Sequence, residues 1–252
     1  MNREVLLAFF ITTLAGLSTI IGTILIFIKK ESNIIVPASL SLAAGVMICT
    51  SITDLIPNSI ELLQYNFYII PSILICLIFI SLGVFISLLI DLLLPNSENK
   101  DKKLYRVGII SMLAIILHNI PEGIATFMAS NTNIKLGISL AIAIALHNIP
   151  EGISISIPIF HSTKSKSKAF LYTFISGTSE LLGAILTYLF LSNYMNNIVM
   201  GIIFSIIAGI MIHISIYELL PTSLNYKKYK ITFIYFLIGI FIMIINHFVF
   251  LE

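Results

Sequence analysis

A chain of 252 residues that is 58% hydrophobic and only 10% charged has too little polar side chain to cover one soluble core. Its mean hydropathy of +1.05 assigns it to a lipid bilayer. The net charge of +2 is divided among small loops, which excludes a nucleic-acid-binding face.

Crossing the hydrocarbon core takes ~20 apolar residues in a helix. Eight such runs follow one another, at about 5–28, 34–56, 68–94, 107–128, 135–158, 169–191, 197–220 and 231–251. The first is longer than the apolar core of a secretory signal and shows no clear small-residue cleavage site, so it reads as a span. Cys49 and Cys76 lie within spans without CxxC spacing and read as small buried hydrophobes. The breaks, such as KKESN, PNSENKDKKLYR and HSTKSKSK, are short and polar, so residues 1–252 are expected to form one transmembrane domain. Alternate breaks take the basic residues: Lys29 and Lys30, then Lys100, Lys102, Lys103 and Arg106, then Lys164, Lys166 and Lys168, then Lys227, Lys228 and Lys230. These are twelve of the fourteen, leaving Arg3 and Lys135 for the opposite face. Because basic loops stay cytoplasmic, both termini are expected outside. The expected fold is all-α, with eight transmembrane helices.

Two repeats locate the working centre. LHNIPEGI occurs at Leu117–Ile124 in the fourth span and at Leu146–Ile153 in the fifth, an offset of 29. AGVMICTSITDLIPNS in the second span matches AGIMIHISIYELLPTS in the seventh at an offset of 164, with nine of sixteen positions identical. Each pair joins helices an odd number of spans apart, so the partners run antiparallel. The pattern predicts an inverted 3+2+3 repeat, with the fourth and fifth helices central and the substrate held near mid-membrane.

On a helix, Glu122 lies about 40° round from His118 and about 60° from Asn119, so one carboxylate projects between two neighbours. Pro121 and Pro150 withhold a backbone donor and are expected to kink their helices, while Gly123 and Gly152 admit a close neighbour. An ionised side chain at the bilayer centre costs roughly 2.5–3.5 kcal/mol. No Lys or Arg lies in a span near Glu122 and Glu151, so the compensating cation must come from outside. His118, His147, Glu122 and Glu151 form an N2O2 set that suits tetrahedral Zn²⁺ and accepts Fe²⁺ or Mn²⁺. Glu180 in the sixth span, within SGTSELLGA, together with Asn119 and Asn148 supplies ligands for a second ion, with Glu122 and Glu151 as bridges.

Smaller expectations attach to other polar residues. Asp54 and Glu61 fall at the outer end of the second helix, and Asp91 and Glu218 at the inner ends of the third and seventh; they serve as cation relays or are simply hydrated. His213 faces the path or makes an interhelical hydrogen bond. His161 and His247 read as solvated surface histidines, and Met211, the repeat mate of Met47, gates the inner path or, more commonly for Met, packs.

The doubled HNIPEG motif, the eight spans and the repeat plan resemble the ZIP (Zrt-, Irt-like protein) metal-ion transporters, in particular a bacterial zinc-uptake branch, along the whole chain. The resemblance implies a multi-pass protein of the cell inner membrane that takes Zn²⁺, and also Fe²⁺, Mn²⁺ or Cd²⁺, into the cytosol, with no resident cofactor. Homodimerisation is left open. By motif position, His118, Glu122, His147, Asn148 and Glu151 would line one metal site, to which Met47 adds a thioether. Asn119, Glu122, Asn148, Glu151 and Glu180 would line its neighbour. Some family members carry Asp where this chain has Asn148, which makes the centre less negative here. The His-rich loop that many relatives carry after the third helix is here PNSENKDKKLYR, without histidine, so a loop metal sensor is not expected.

The alternative is an intramembrane zinc-dependent hydrolase. Its HExxH motif needs two histidines at i and i+4 with a free Glu as base, whereas both copies here place Glu where the second His would stand. No nucleotide-binding loop is present in the sequence, so ATP hydrolysis is not expected. Because neutral imidazoles and ionised carboxylates are the ligand forms, Zn²⁺ binding is expected to weaken as pH falls into the imidazole range. Equilibrium Zn²⁺ titration at neutral and mildly acidic pH checks this, and affinity that rises with acid would contradict the ligand set.

Overall fold

The computed structural model describes residues 3–27, 32–93, 99–191 and 196–251. Eight of its helices are long and apolar enough to cross a membrane: α1 (Arg3–Phe27), α2 (Asn33–Gln64), α3 (Ile69–Leu93), α4 (Lys100–Thr132), α5 (Ile134–Thr163), α6 (Lys166–Phe190), α7 (Asn197–Leu224) and α8 (Tyr229–Val249). Among the described residues there is no strand. Lys29 and Lys30, and with them part of the charge pattern read from the sequence, lie outside the described residues.

Three helices outrun their apolar segments. α2 continues to Gln64, α4 begins at Lys100, and α5 extends to Thr163. Hydropathy marks the edge of the hydrocarbon, whereas a helix starts where its first N–H groups are satisfied. Asn99 Oδ1 accepts from the Asp101 and Lys102 amides, Asn133 Oδ1 from those of Lys135 and Leu136, and Asn196 Oδ1 from that of Val199. α4 therefore carries Arg106 inside its second turn, and not in a loop.

α2 and α7 each widen to π geometry for one turn, at Ser51–Leu55 and Ser215–Leu219. Both turns sit just before a proline, Pro57 and Pro221, which has no N–H for the carbonyl four residues back and crowds it. The two turns are 164 residues apart, the offset of the sequence repeat.

Glycines set the helix crossings. Gly45 of α2 packs on Phe236 of α8, and Gly209 of α7 packs on Ile80 of α3. Gly123 of α4 meets the Glu180 backbone in α6, while Gly152 of α5 meets the Thr19 backbone in α1. These four contacts form two pairs under one register, with offsets of 164 for α2 and α7, 156 for α3 and α8, 161 for α1 and α6, and 29 for α4 and α5. A Cβ at any of the four would press into a backbone carbonyl.

The main apolar cluster, including Leu40, Met47, Ile110, Ile155, Met211 and Ile214, fills the space among α2, α4, α5 and α7. α3 and α8 lie outermost: Phe85 is 55% and Phe241 63% exposed, surfaces that only lipid or another apolar partner can cover.

Gly45→Val tests the α2–α8 crossing away from the polar centre. The added methyls should destabilise the fold by roughly 1–3 kcal/mol, the usual size of overpacking, read as a lower melting temperature in detergent, with Gly45→Ala intermediate. An unchanged melting temperature would mean that the two backbones are not held at this distance.

Candidate metal centre

α4 and α5 pack along one another, and α6 and α1 close on their far sides, so the two HNIPEG motifs meet at the centre of the bundle. Both helices run through their motif prolines, Pro121 and Pro150. The polar side chains they carry are almost wholly removed from the surface: Asn119, Asn148 and Glu151 are 0% exposed, and Glu122 retains 6%. Glu180 of α6 is equally buried, brought in where Gly123 lets the α6 backbone touch α4.

Glu122 is the shared member. Its Oε1 lies 2.9 Å from His147 Nε2 and 3.2 Å from His118 Nε2, and His118 Nε2 in turn lies 3.3 Å from Glu151 Oε1. The His147 contact has hydrogen-bond geometry; the two contacts of His118 do not, and neither His118 nitrogen has a hydrogen-bond partner. One ligand atom from each of His118, Glu122 and His147 falls within 4.8 Å of the others, close enough to share one ion.

The asparagines face the flanking helices. Asn119 Nδ2 donates to the Ser176 carbonyl of α6 at 3.3 Å, and Asn148 Nδ2 donates to the Ala15 carbonyl of α1 at 3.1 Å. These are one contact made twice, related by the offsets of 29 and 161. Asn148 Nδ2 also donates to Glu180 Oε1, which ties Glu180 to the motif pair.

What remains is a convergent set of buried acceptors. Glu122 Oε2, both oxygens of Glu151, Glu180 Oε2, Asn119 Oδ1 and Asn148 Oδ1 have no hydrogen-bond partner within the protein. Among the described residues no Lys or Arg pairs with any of the three carboxylates. Leaving such groups unmatched in a low-dielectric interior is strongly unfavourable, so the donor set fits a multivalent cation. Carboxylate, imidazole and amide oxygen together suit Zn²⁺ and its borderline neighbours.

Met47 is buried within the main apolar cluster. His213 Nδ1 lies 2.8 Å from Ser87 Oγ, an α7–α3 hydrogen bond, and His213 is stacked on Tyr217. His247 is not simply a solvated histidine. Its Nδ1 lies 2.7 Å from Asp54 Oδ1, a pair joining α8 to α2 that no spacing along the chain announces. Glu61 is exposed. Arg106, read from the sequence only as a loop charge, binds Asp91 and Glu218 across three helices.

A narrow cleft runs from Asp54 and Asn58 to Glu122 and His147, with Leu140, Ala143 and Ile144 on its wall. All lie in the halves of their helices nearer the chain termini. The centre is therefore reached from that end of the bundle, opposite the basic loops.

The family model described as ZIP zinc transporter matches residues 95–247. The chain is 40% identical over 273 residues to the zinc transporter ZupT of Clostridium perfringens, covering 97% of this chain and 96% of that protein. Against the zinc transporter ZupT of Streptococcus mutans the identity is 39% over 259 residues, with 98% of each chain covered. Against that of Campylobacter jejuni it is 37% over 262 residues, with 90% of each covered.

Asn148→Asp should act in opposite directions with and without metal. It replaces the amide that donates to Glu180 and to the Ala15 carbonyl by a carboxylate facing both, a loss of roughly 2 kcal/mol or more without metal. With Zn²⁺ present the added charge becomes a ligand. The melting temperature should fall in chelator, and the Zn²⁺-induced rise should exceed that of the parent chain; a smaller rise would contradict the geometry.

Proposed function

The chain belongs to the ZIP zinc transporter family, which makes it a divalent-metal transporter and not an enzyme, and we propose that it carries Zn²⁺ inward across the bacterial inner membrane through the paired HNIPEG motifs. The observation that carries this reading is the set of buried oxygen and nitrogen atoms without hydrogen-bond partners, beside a cleft that reaches Glu122 and His147. A soluble protein would not keep them, and a bilayer makes them costlier still unless a cation visits.

In this reading His118, Glu122, His147 and Glu151 hold the first ion, with Asn148 at its edge and Met47 as the softer neighbour. Asn119, Asn148 and Glu180, with Glu122 and Glu151 as shared carboxylates, hold a second. Fe²⁺, Mn²⁺ and Cd²⁺ compete because the donor set excludes none of them by hardness. The hydrolase alternative falls with family membership.

The basic end of the bundle faces the cytosol and both termini lie outside, by the distribution of Lys and Arg. The cleft then admits metal from outside. The matched glycine contacts and π turns support an inverted repeat, and that symmetry supplies the other state: the same contacts can be exchanged between the halves, so that the centre faces each side in turn.

Uptake of ⁶⁵Zn²⁺ into proteoliposomes tests the proposal. Glu122→Ala and His147→Ala should each lower uptake at least about tenfold, the lower end of what disturbing a metal site costs, and Fe²⁺, Mn²⁺ and Cd²⁺ should compete in the parent chain. Intact uptake in both variants would mean that the motif pair is architecture and that metal crosses elsewhere.

A further inference from the structure

The two ends of the bundle carry corresponding polar positions in opposite states. At the basic end, Arg106 of α4 donates to Glu218 Oε1 of α7 at 3.0 Å, to the Asp91 carbonyl of α3 at 2.8 Å, and to the Asp91 carboxylate. Its side chain is 11% exposed. The repeat register takes Arg106 to Lys135, Glu218 to Asp54 and Asp91 to His247, by the offsets of 29, 164 and 156 that relate the glycine contacts. At that other end Asp54 and His247 are paired with each other, but Lys135 is exposed, and among the described residues it is paired with neither.

Space is distributed in the same opposed way. Leu55, Leu140, Ala143 and Ile144 line the cleft. Their counterparts under the register are Leu219, Ser111, Ala114 and Ile115; Leu140 is part-exposed where Ser111 is fully buried, while Leu55, Ala143 and Ile144 are nearly as buried as their mates. Among the described residues a cleft reaches the centre at one end, where Lys135 is exposed. At the other end the basic residue is bound to two acids, and the cavity there, lined by Leu25, Ile35, Ala38 and Leu42, includes no residue of the centre.

We propose that Arg106 is the latch of the inner route: its contacts with Asp91 and Glu218 hold α4 against α3 and α7 and keep the basic end of the bundle closed, and their release lets the centre open toward that side. The latch deepens the alternating-access reading given above and rests on it. A guanidinium shared by two carboxylates suits this work. In the closed state each charge is matched, while loss of one partner leaves a buried charge uncompensated, so the cluster favours fully made or fully broken. Breaking it becomes feasible when the opened route admits water to all three groups. Arg106 acts on transport through the position of its helix and touches no metal ligand, which makes it a positioning residue.

Ser111 reports on the route. It sits two turns before His118 on the same face of α4, and its buried hydroxyl has no partner. Leu140 is its counterpart at the open end. Each is replaced by Cys in the parent chain, whose own Cys49 and Cys76 are buried, and labelled in sealed vesicles with a membrane-impermeant maleimide applied from its own side. Arg106→Gln should raise Ser111→Cys labelling several-fold and lower Leu140→Cys labelling, because weakening one closed state moves molecules between two exclusive ones. Arg106→Lys should return both toward the parent values. A general loosening raises both signals, so labelling that rises at both positions, or changes at neither, overturns the latch. ⁶⁵Zn²⁺ uptake in the same vesicles separates the two levels. Transport by the parent with Ser111→Cys labelling unmoved by Arg106→Gln overturns the latch alone; Ser111→Cys closed in every variant while Zn²⁺ crosses overturns the alternating-access route beneath it.

Discussion

Three carboxylates, Glu122, Glu151 and Glu180, are buried among helices that cross a membrane, and among the described residues no Lys or Arg pairs with them. Everything near them follows from making that arrangement tolerable in protein alone and favourable with a divalent ion. The histidines share their carboxylate oxygens, and Asn148 donates to Glu180. Both asparagines are anchored on backbone carbonyls of the flanking helices, which fixes their Oδ1 atoms as free acceptors. The anchoring needs α1 and α6 at backbone distance from α5 and α4, and the glycines at positions 123 and 152 provide it. A side chain there would move the acceptors as well as the helices.

The same register that matches the motifs also shows where the halves differ. Thr19 stands where the register places the counterpart of Glu180, so the third carboxylate belongs to one half only. His118 and Glu122 thus recur as His147 and Glu151 in the second motif helix, whereas Glu180 has no acidic counterpart. At the ends, two acids and an arginine stand against one acid, a histidine and a lysine. A guanidinium makes several directed hydrogen bonds at once, whereas an ammonium is a compact and strongly hydrated charge. Accordingly Arg106 is hydrogen-bonded to two acids, while Lys135 is exposed.

The two π turns fit that division of labour. Each carries an acidic residue, Asp54 or Glu218. Widening the helix there frees the carbonyl that the following proline cannot satisfy, and turns the acid toward a partner on a neighbouring helix. The same backbone irregularity, at corresponding positions of α2 and α7, thus places an acidic group on each side of the centre.

The amino-acid sequence by itself determined the bilayer setting, the eight spans, the repeat offsets and the identity of the central polar residues. Those properties are written in composition, in ~20-residue apolar runs and in identical octapeptides, all of which are local along the chain. It left the helix ends short at α2, α4 and α5, because a hydropathy pattern follows the hydrocarbon and not the hydrogen-bond caps. The tertiary structure alone decided which polar groups meet. His247 finds Asp54, Arg106 finds Asp91 and Glu218, and the asparagines find carbonyls of α1 and α6. Contacts between helices far apart in sequence depend on crossing points that backbone glycines set, and a partner on another helix leaves no spacing to read. Which end stands open was likewise beyond the sequence, since a repeat specifies two corresponding ends and only packing chooses between them.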